Sequence, residues 1–312
     1  MSILAALARA AARHGKAILI LGLLAGILFP GVATAMKPWL GELIAFMLFV
    51  AALRIGPRRA IGAISDLRDS VGFALALQIA LPLSAAGLLA AAGVSHALGT
   101  ALVLMMAAAP ISGSPNLVIL CGHDPAPALR QLVVGTALLP VTVIPVLWVM
   151  PGLGELGPVA IAAARLLGII ALATGAAFLI RGLVWRDPTP EGLTVVDGIS
   201  ALLMAIVVVG LMAAVGPAMR NDPAGLIAAL VAAFAGNFGL QIASALLLER
   251  TGMRSLAVPL GIVAGNRNIA LFLAALPASV TDPLLLFIGC YQIPMYLTPM
   301  LLAAFYRRRA SS

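Results

Sequence analysis

The chain has 312 residues, of which 62% are hydrophobic and 10% charged, with a mean hydropathy of +1.13. A soluble domain runs at about 45–50% apolar and about 25% charged, so this composition excludes one and leaves no length for a soluble domain beside the apolar segments. The net charge of +8 requires no nucleic-acid partner, because basic residues of membrane proteins collect in cytoplasmic loops.

A spanning helix needs about 20 mostly apolar residues to cross about 30 Å of hydrocarbon. Apolar runs bounded by charge, Pro or Gly predict ten spans, at 17–35, 38–53, 71–93, 97–121, 131–150, 158–180, 194–215, 224–248, 255–277 and 283–305. The basic lead Arg9, Arg13 and Lys16 resembles the opening of a signal peptide, but the apolar stretch behind it is too long for one, so it reads as a retained first span. Strands of an outer-membrane barrel alternate in polarity, whereas the run from Ile199 to Val215 is apolar on nearly every face. Both termini in the cytoplasm place fifteen of the nineteen Lys and Arg on one side, leaving Lys37 and Arg220 opposite and Arg165 and Arg267 within spans. That asymmetry predicts a multi-pass protein of the inner (cell) membrane. Arg165 lies near enough to a span end to reach the outer surface and carries no expected role.

Ten spans divide into two sets of five, 17–150 and 158–306, and an odd number per set inserts the second upside down relative to the first. The fold class expected is thus an all-α membrane protein forming one unit over residues 1–312, with inverted five-helix repeats and discontinuous, crossing spans 4 and 9. In span 4, Pro110 and Pro115 each remove a backbone donor and Gly113 adds freedom, so the helix should unwind near its middle. Unwound backbone in a membrane must line water or protein. The freed amides and the helix start after the break suit an anion, with Ser112, Ser114 and Asn116 as added donors. A plain proline kink healed by neighbouring helices is the simpler account of the same residues.

Span 9 carries Asn266, Arg267 and Asn268 halfway along an otherwise apolar stretch. An Arg at mid-helix costs about 2.5–3.5 kcal/mol on insertion scales, so it normally faces a cavity or a partner. No acidic residue lies in the middle of any predicted span, which leaves Arg267 to cap backbone carbonyls at a break, to meet an anionic substrate, or to do both. Gln78, Asn237, Gln241 and Gln292 are the other mid-span polar groups, and each alone is more often interhelical glue than ligand. Cys121 and Cys290 fall in or at the end of spans with no spacing of a metal site or disulfide framework. No cofactor is therefore expected. Nor does any span carry paired carboxylates or a Ser/His set, so no enzyme is expected.

The opening Gly22-Leu23-Leu24-Ala25-Gly26-Ile27-Leu28-Phe29-Pro30, the break from Pro110 to Asn116 and the break from Gly265 to Asn268 resemble, in order and spacing, the bile acid:sodium symporter family and its bacterial homologues. The resemblance covers essentially the whole chain. It implies a panel of spans 1, 2, 6 and 7, a core of spans 3, 4, 5, 8, 9 and 10, and a substrate held between them, with access alternating by rigid movement. On that basis the chain is expected to be a secondary transporter of a small organic anion in contact with membrane lipid. Its expected substrate residues are Ser112, Gly113, Ser114, Asn116, Asn266, Arg267, Asn268 and Gln292.

The departures from the pattern concern sodium. Where the family's span 9 has Glu and Gln as sodium ligands, this chain has Val263 and Arg267, with Asn268 retained; the family's Ser-Asn of span 4 becomes Pro115-Asn116. Gln78 looks like a retained ligand, while the Ser and Thr ligands of span 5 give way to apolar residues or Arg130. Gln78, Val263 and Arg267 thus read as the remnant of a cation site, with sodium coupling weakened or absent and the Arg267 guanidinium in the place of the ion. An auxin-efflux or malate-permease type carrier shares the ten spans and broken helices, and a channel is a more distant alternative.

Overall fold

A computed structural model describes residues 3–62, 67–93, 96–150 and 155–310. Among the described residues the structure is helical, with no strand. α1 (Ile3–Arg13) meets α2 (Gly15–Leu28) at 90°. Phe29, at φ −116° and ψ 68°, then leaves the helix, and Pro30 restarts it as α3 (Pro30–Met36), because proline fits a first turn where its missing donor is not needed. The predicted span 17–35 is therefore two pieces.

α4 (Leu40–Gly62) is kinked at Gly56, whose φ of 73° ahead of Pro57 is open to glycine at little cost. α5 (Leu67–Leu75) passes through one π-helical turn, Ala76–Ala80, into α6 (Leu81–Ala91). Pro82 offers no amide to the Gln78 carbonyl four residues back, and a widened turn accommodates the missing bond.

α7 (Ala97–Ala107) and α8 (Ser114–Leu120) flank the first break, and α9 (Ala126–Trp148) closes the first half. α10 (Leu156–Leu183), α11 (Pro190–Leu211), α12 (Val215–Asn221) and α13 (Pro223–Arg250) follow. α14 (Arg254–Gly265) ends at the second break, beyond which lie α15 (Phe272–Ala275), α16 (Ala278–Thr281), α17 (Leu285–Leu301) and α18 (Ala303–Ala310).

Among the described residues, seven helical segments are long and apolar enough to cross a bilayer, or eight if the bent pair at the N-terminus is one span. This is a multi-pass all-α membrane protein. The shortfall against ten falls on three places. α2 has 14 residues, and the half-helices α7 and α14 have 11 and 12, each too short to cross about 30 Å alone.

Packing sorts the long helices into two groups. In the first, α2 and α4 lie on α11, and α4 also lies on α10. In the second, α5 packs on α9, α6 on α7, and α13 on both α14 and α17. The groups meet where α10 touches α9 and α15, α4 touches α15, and α11 touches α17.

Candidate functional site

The two breaks lie against each other. Pro110 and Arg267 form an isolated antiparallel bridge, in which the Ile111 amide donates to the Asn266 carbonyl (3.0 Å) and the Asn268 amide to the Ala109 carbonyl (2.7 Å). The physical reason is accounting: inside hydrocarbon an unwound strand has no water to bond, so each break supplies the other's partners.

Both half-helices α7 and α14 present their C-terminal ends to this junction, which brings unsatisfied carbonyls and two negative dipole ends together. Arg267 answers one end. Its side chain is 1% exposed, and Nη2 donates to the Met106 carbonyl in the last turn of α7 (3.0 Å). At the other end, the Gly265 carbonyl accepts from Asn237 Nδ2 (2.5 Å) and from the Tyr291 hydroxyl, which in turn accepts the Arg267 amide (3.0 Å). Arg267 thus caps a backbone carbonyl, one of the roles its sequence position left open.

Capping uses only part of the guanidinium. Nε and Nη1 of Arg267 are buried without a hydrogen-bond partner among the described residues. A buried cation with open donors is costly unless an anion completes it. Arg267 lines a narrow cavity, with about 30 Å³ of room for solvent, on the seam between the helix groups. The wall from the second group is mixed, with Ser112, Asn268 and Gln292 beside Ile111, Met295 and Tyr296. The facing wall, Met47 of α4 with Met204, Val207, Val208 and Leu211 of α11, is wholly apolar.

Of the residues expected at the site, the structure brings Ser112, Arg267, Asn268 and Gln292 to one cavity. Asn266 lies outside it, fully buried, with Nδ2 donating to the Ile262 carbonyl (2.8 Å) and Oδ1 accepting from Asn237 (3.3 Å) and Thr298 (3.4 Å). Gly113 precedes α8 as its cap, Ser114 is fully buried with an unpartnered hydroxyl, and Asn116 is exposed; none of these three lines the cavity. Gln78 is also absent from the wall: it donates to the Gly135 carbonyl (2.9 Å) and accepts from Thr142 (2.8 Å). Val263 is fully buried among Val258, Ile262 and Tyr306. Arg165 is exposed on α10.

Of the buttressing residues, the sequence marks Asn237 and Gln241 as interhelical glue, while Tyr291, Thr298 and Tyr306 escape it. Gln241 donates to Asn237 (2.6 Å) and Thr298 (3.0 Å) and accepts from Tyr306 (2.9 Å), so α13, α14, α17 and α18 share one polar network. The signal for Thr142 and Thr298 was present, since each is a threonine between two span prolines, Pro140 and Pro145 in one case and Pro294 and Pro299 in the other. Nothing in the sequence marked Met47 or Met204, which are apolar residues among apolar residues. A scan against protein-family models finds no match to this chain, and a search of the curated proteins finds none either.

Proposed function

We propose that the protein is a secondary transporter that moves a small organic anion across the inner (cell) membrane by alternating access, with ten spans in two inverted repeats. The observation that carries this reading is the Arg267 guanidinium, 1% exposed and only partly hydrogen-bonded, at a cavity on the seam between two helix groups. An anionic head meets the open donors beside Ser112, Asn268 and Gln292, while the rest of the molecule lies against the apolar wall of Met47, Met204 and Val207. The cavity as it stands is far below the about 300–1,000 Å³ of small-molecule sites, so binding requires the two groups to part.

Ten spans follow from counting α2, α7 with its continuation α8, and α14 with its continuation as one crossing each. Two repeats are supported by how contacts exchange when each of the first five spans is swapped with its counterpart in the second five. The α4–α10 contact becomes α11–α2, α5–α9 becomes α13–α17, and the Gln78–Thr142 hydrogen bond becomes Gln241–Thr298. The likeness to the bile acid:sodium symporter family fits this plan, with the group of α2, α4, α10 and α11 as panel. The distribution of basic residues supports both termini in the cytoplasm.

Sodium coupling is weakened or absent in this reading. Arg stays charged at any physiological pH, and Arg267 already sets a fixed positive charge where two helix C-termini converge. Uptake of a panel of small carboxylates and sulfonates into proteoliposomes, with sodium or choline outside, tests both parts. Equal uptake in the two salts is expected, with loss in Arg267→Gln; dependence on sodium, or full uptake by the variant, contradicts it.

A further inference from the structure

The two ends of the bundle are sealed differently. At the end that carries Lys37 and Asp282, one apolar core runs through both helix groups, with Leu40 and Ile44 of α4 in the same cluster as Phe272 and Ala275 of α15. There α17 approaches α11 so closely that a Cβ on Gly289 would lie 2.7 Å from the Leu211 carbonyl oxygen and 2.8 Å from Val215 Cγ2. At the opposite end the groups have separate cores. Val50, Val196 and Leu203 belong to one, Val118, Cys121, Val258 and Tyr306 to the other.

The ion pairs divide in the same way. Arg54–Asp197 and Arg58–Asp187 lie within the first group, and Arg309–Glu249 lies within the second. Lys37–Asp282, at 2.8 Å, is the one of these four that joins the turn between α3 and α4 to the turn between α16 and α17, across the seam. Both partners open a three-residue 3-10 turn with proline next, Lys37-Pro38-Trp39 and Asp282-Pro283-Leu284. Proline fixes φ, so each charge is presented on stiff backbone.

We propose that the Lys37–Asp282 pair is a latch that holds this face of the cavity shut, so that the structure is the state closed toward the outside. The inference rests on the proposed movement of one helix group against the other. At 36% and 45% exposure the pair is screened by water and weak, which suits a contact that must break in every cycle, while the apolar seal beneath it does most of the closing.

The test is the labelling rate of Ala275→Cys by a membrane-impermeant maleimide added outside, in a Cys121→Ala, Cys290→Ala background. Lys37→Gln and Asp282→Asn should each raise the rate by about two- to five-fold, the range a pair of this exposure supports. The exchanged double variant, Lys37→Asp with Asp282→Lys, should return it to the parent's. Unchanged rates in the single variants, or no return in the exchange, overturn the latch. Labelling needs no substrate, so the two readings fail separately. Latch-dependent labelling without anion uptake overturns only the transport reading, and anion uptake with unchanged labelling overturns only the latch.

Discussion

The two breaks solve one problem with different means. The break after Gly265 is buttressed by side chains: Asn237 and Tyr291 on the Gly265 carbonyl, Gln241 and Thr298 behind Asn237 and Asn266, and Tyr306 behind Gln241. The break between Ala107 and Ser114 has no such frame among the described residues. Its bonds come from the opposite strand, through Asn266 and Asn268, and from the side chain of Arg267. One crossing strand is thus a rigid fixture and the other leans on it. The charged residue that lines the cavity also holds the weaker strand in place, so the proposed binding and the architecture share one side chain.

That contrast can be broken most severely at Gly265. A Cβ there would overlap the Asn237 backbone carbonyl oxygen and the Gln241 side chain, with no flexible neighbour to yield. Gly265→Ala should cost about 3 kcal/mol or more and leave little folded protein, which size-exclusion of the detergent extract checks. A change beside the other break is milder: at Gly135 of α9 a Cβ would meet Pro110 Cδ at 3.0 Å and Gln78 Nε2 at 3.1 Å, contacts a small shift relieves. Gly135→Ala should cost about 1 kcal/mol by thermal unfolding.

Removing hydrogen bonds sharpens the same comparison. Asn237→Leu strips the Gly265 carbonyl and Gln241 of a partner and should cost about 1–3 kcal/mol, because the groups left behind remain buried. The paired hydroxyls come last. Thr298→Val severs bonds to Gln241 and Asn266 and should cost about 1 kcal/mol, whereas Thr142→Val, which loses only Gln78 as a side-chain partner, should cost about 0.6 kcal/mol. Equal losses at the two threonines in thermal unfolding contradict the asymmetry of the breaks.

Much of this frame is legible in the sequence for physical reasons. Hydrocarbon tolerates no loose amide, so Pro110, Pro115 and Gly113 in a span announce a break, and a mid-span Arg267 announces something to pair with. What periodicity does not reach is which half-helix residues face the seam. Asn116 and Ser114 read like Ser112 in a string of polar residues, but one turn of α8 carries Asn116 to the surface and Ser114 into the interior. Asn266 and Asn268 read alike as well. The chain's turn between them sends the first into the Gln241 network and the second to the cavity. The span count shows the reverse: composition predicts ten crossings where seven segments qualify by helix length, because the broken segments do not form 18 continuous helical residues.

The most direct measurement of the central claim is equilibrium binding by the purified protein of small organic anions, read as a thermal shift at constant ionic strength, in sodium and in choline, for the wild type and Arg267→Lys. The account expects a stabilising shift of the same size in both salts, sharply reduced in the variant, because a lysine cannot both cap Met106 and present a second donor edge to the anion. A shift that appears only in sodium, or one that the variant retains in full, contradicts it.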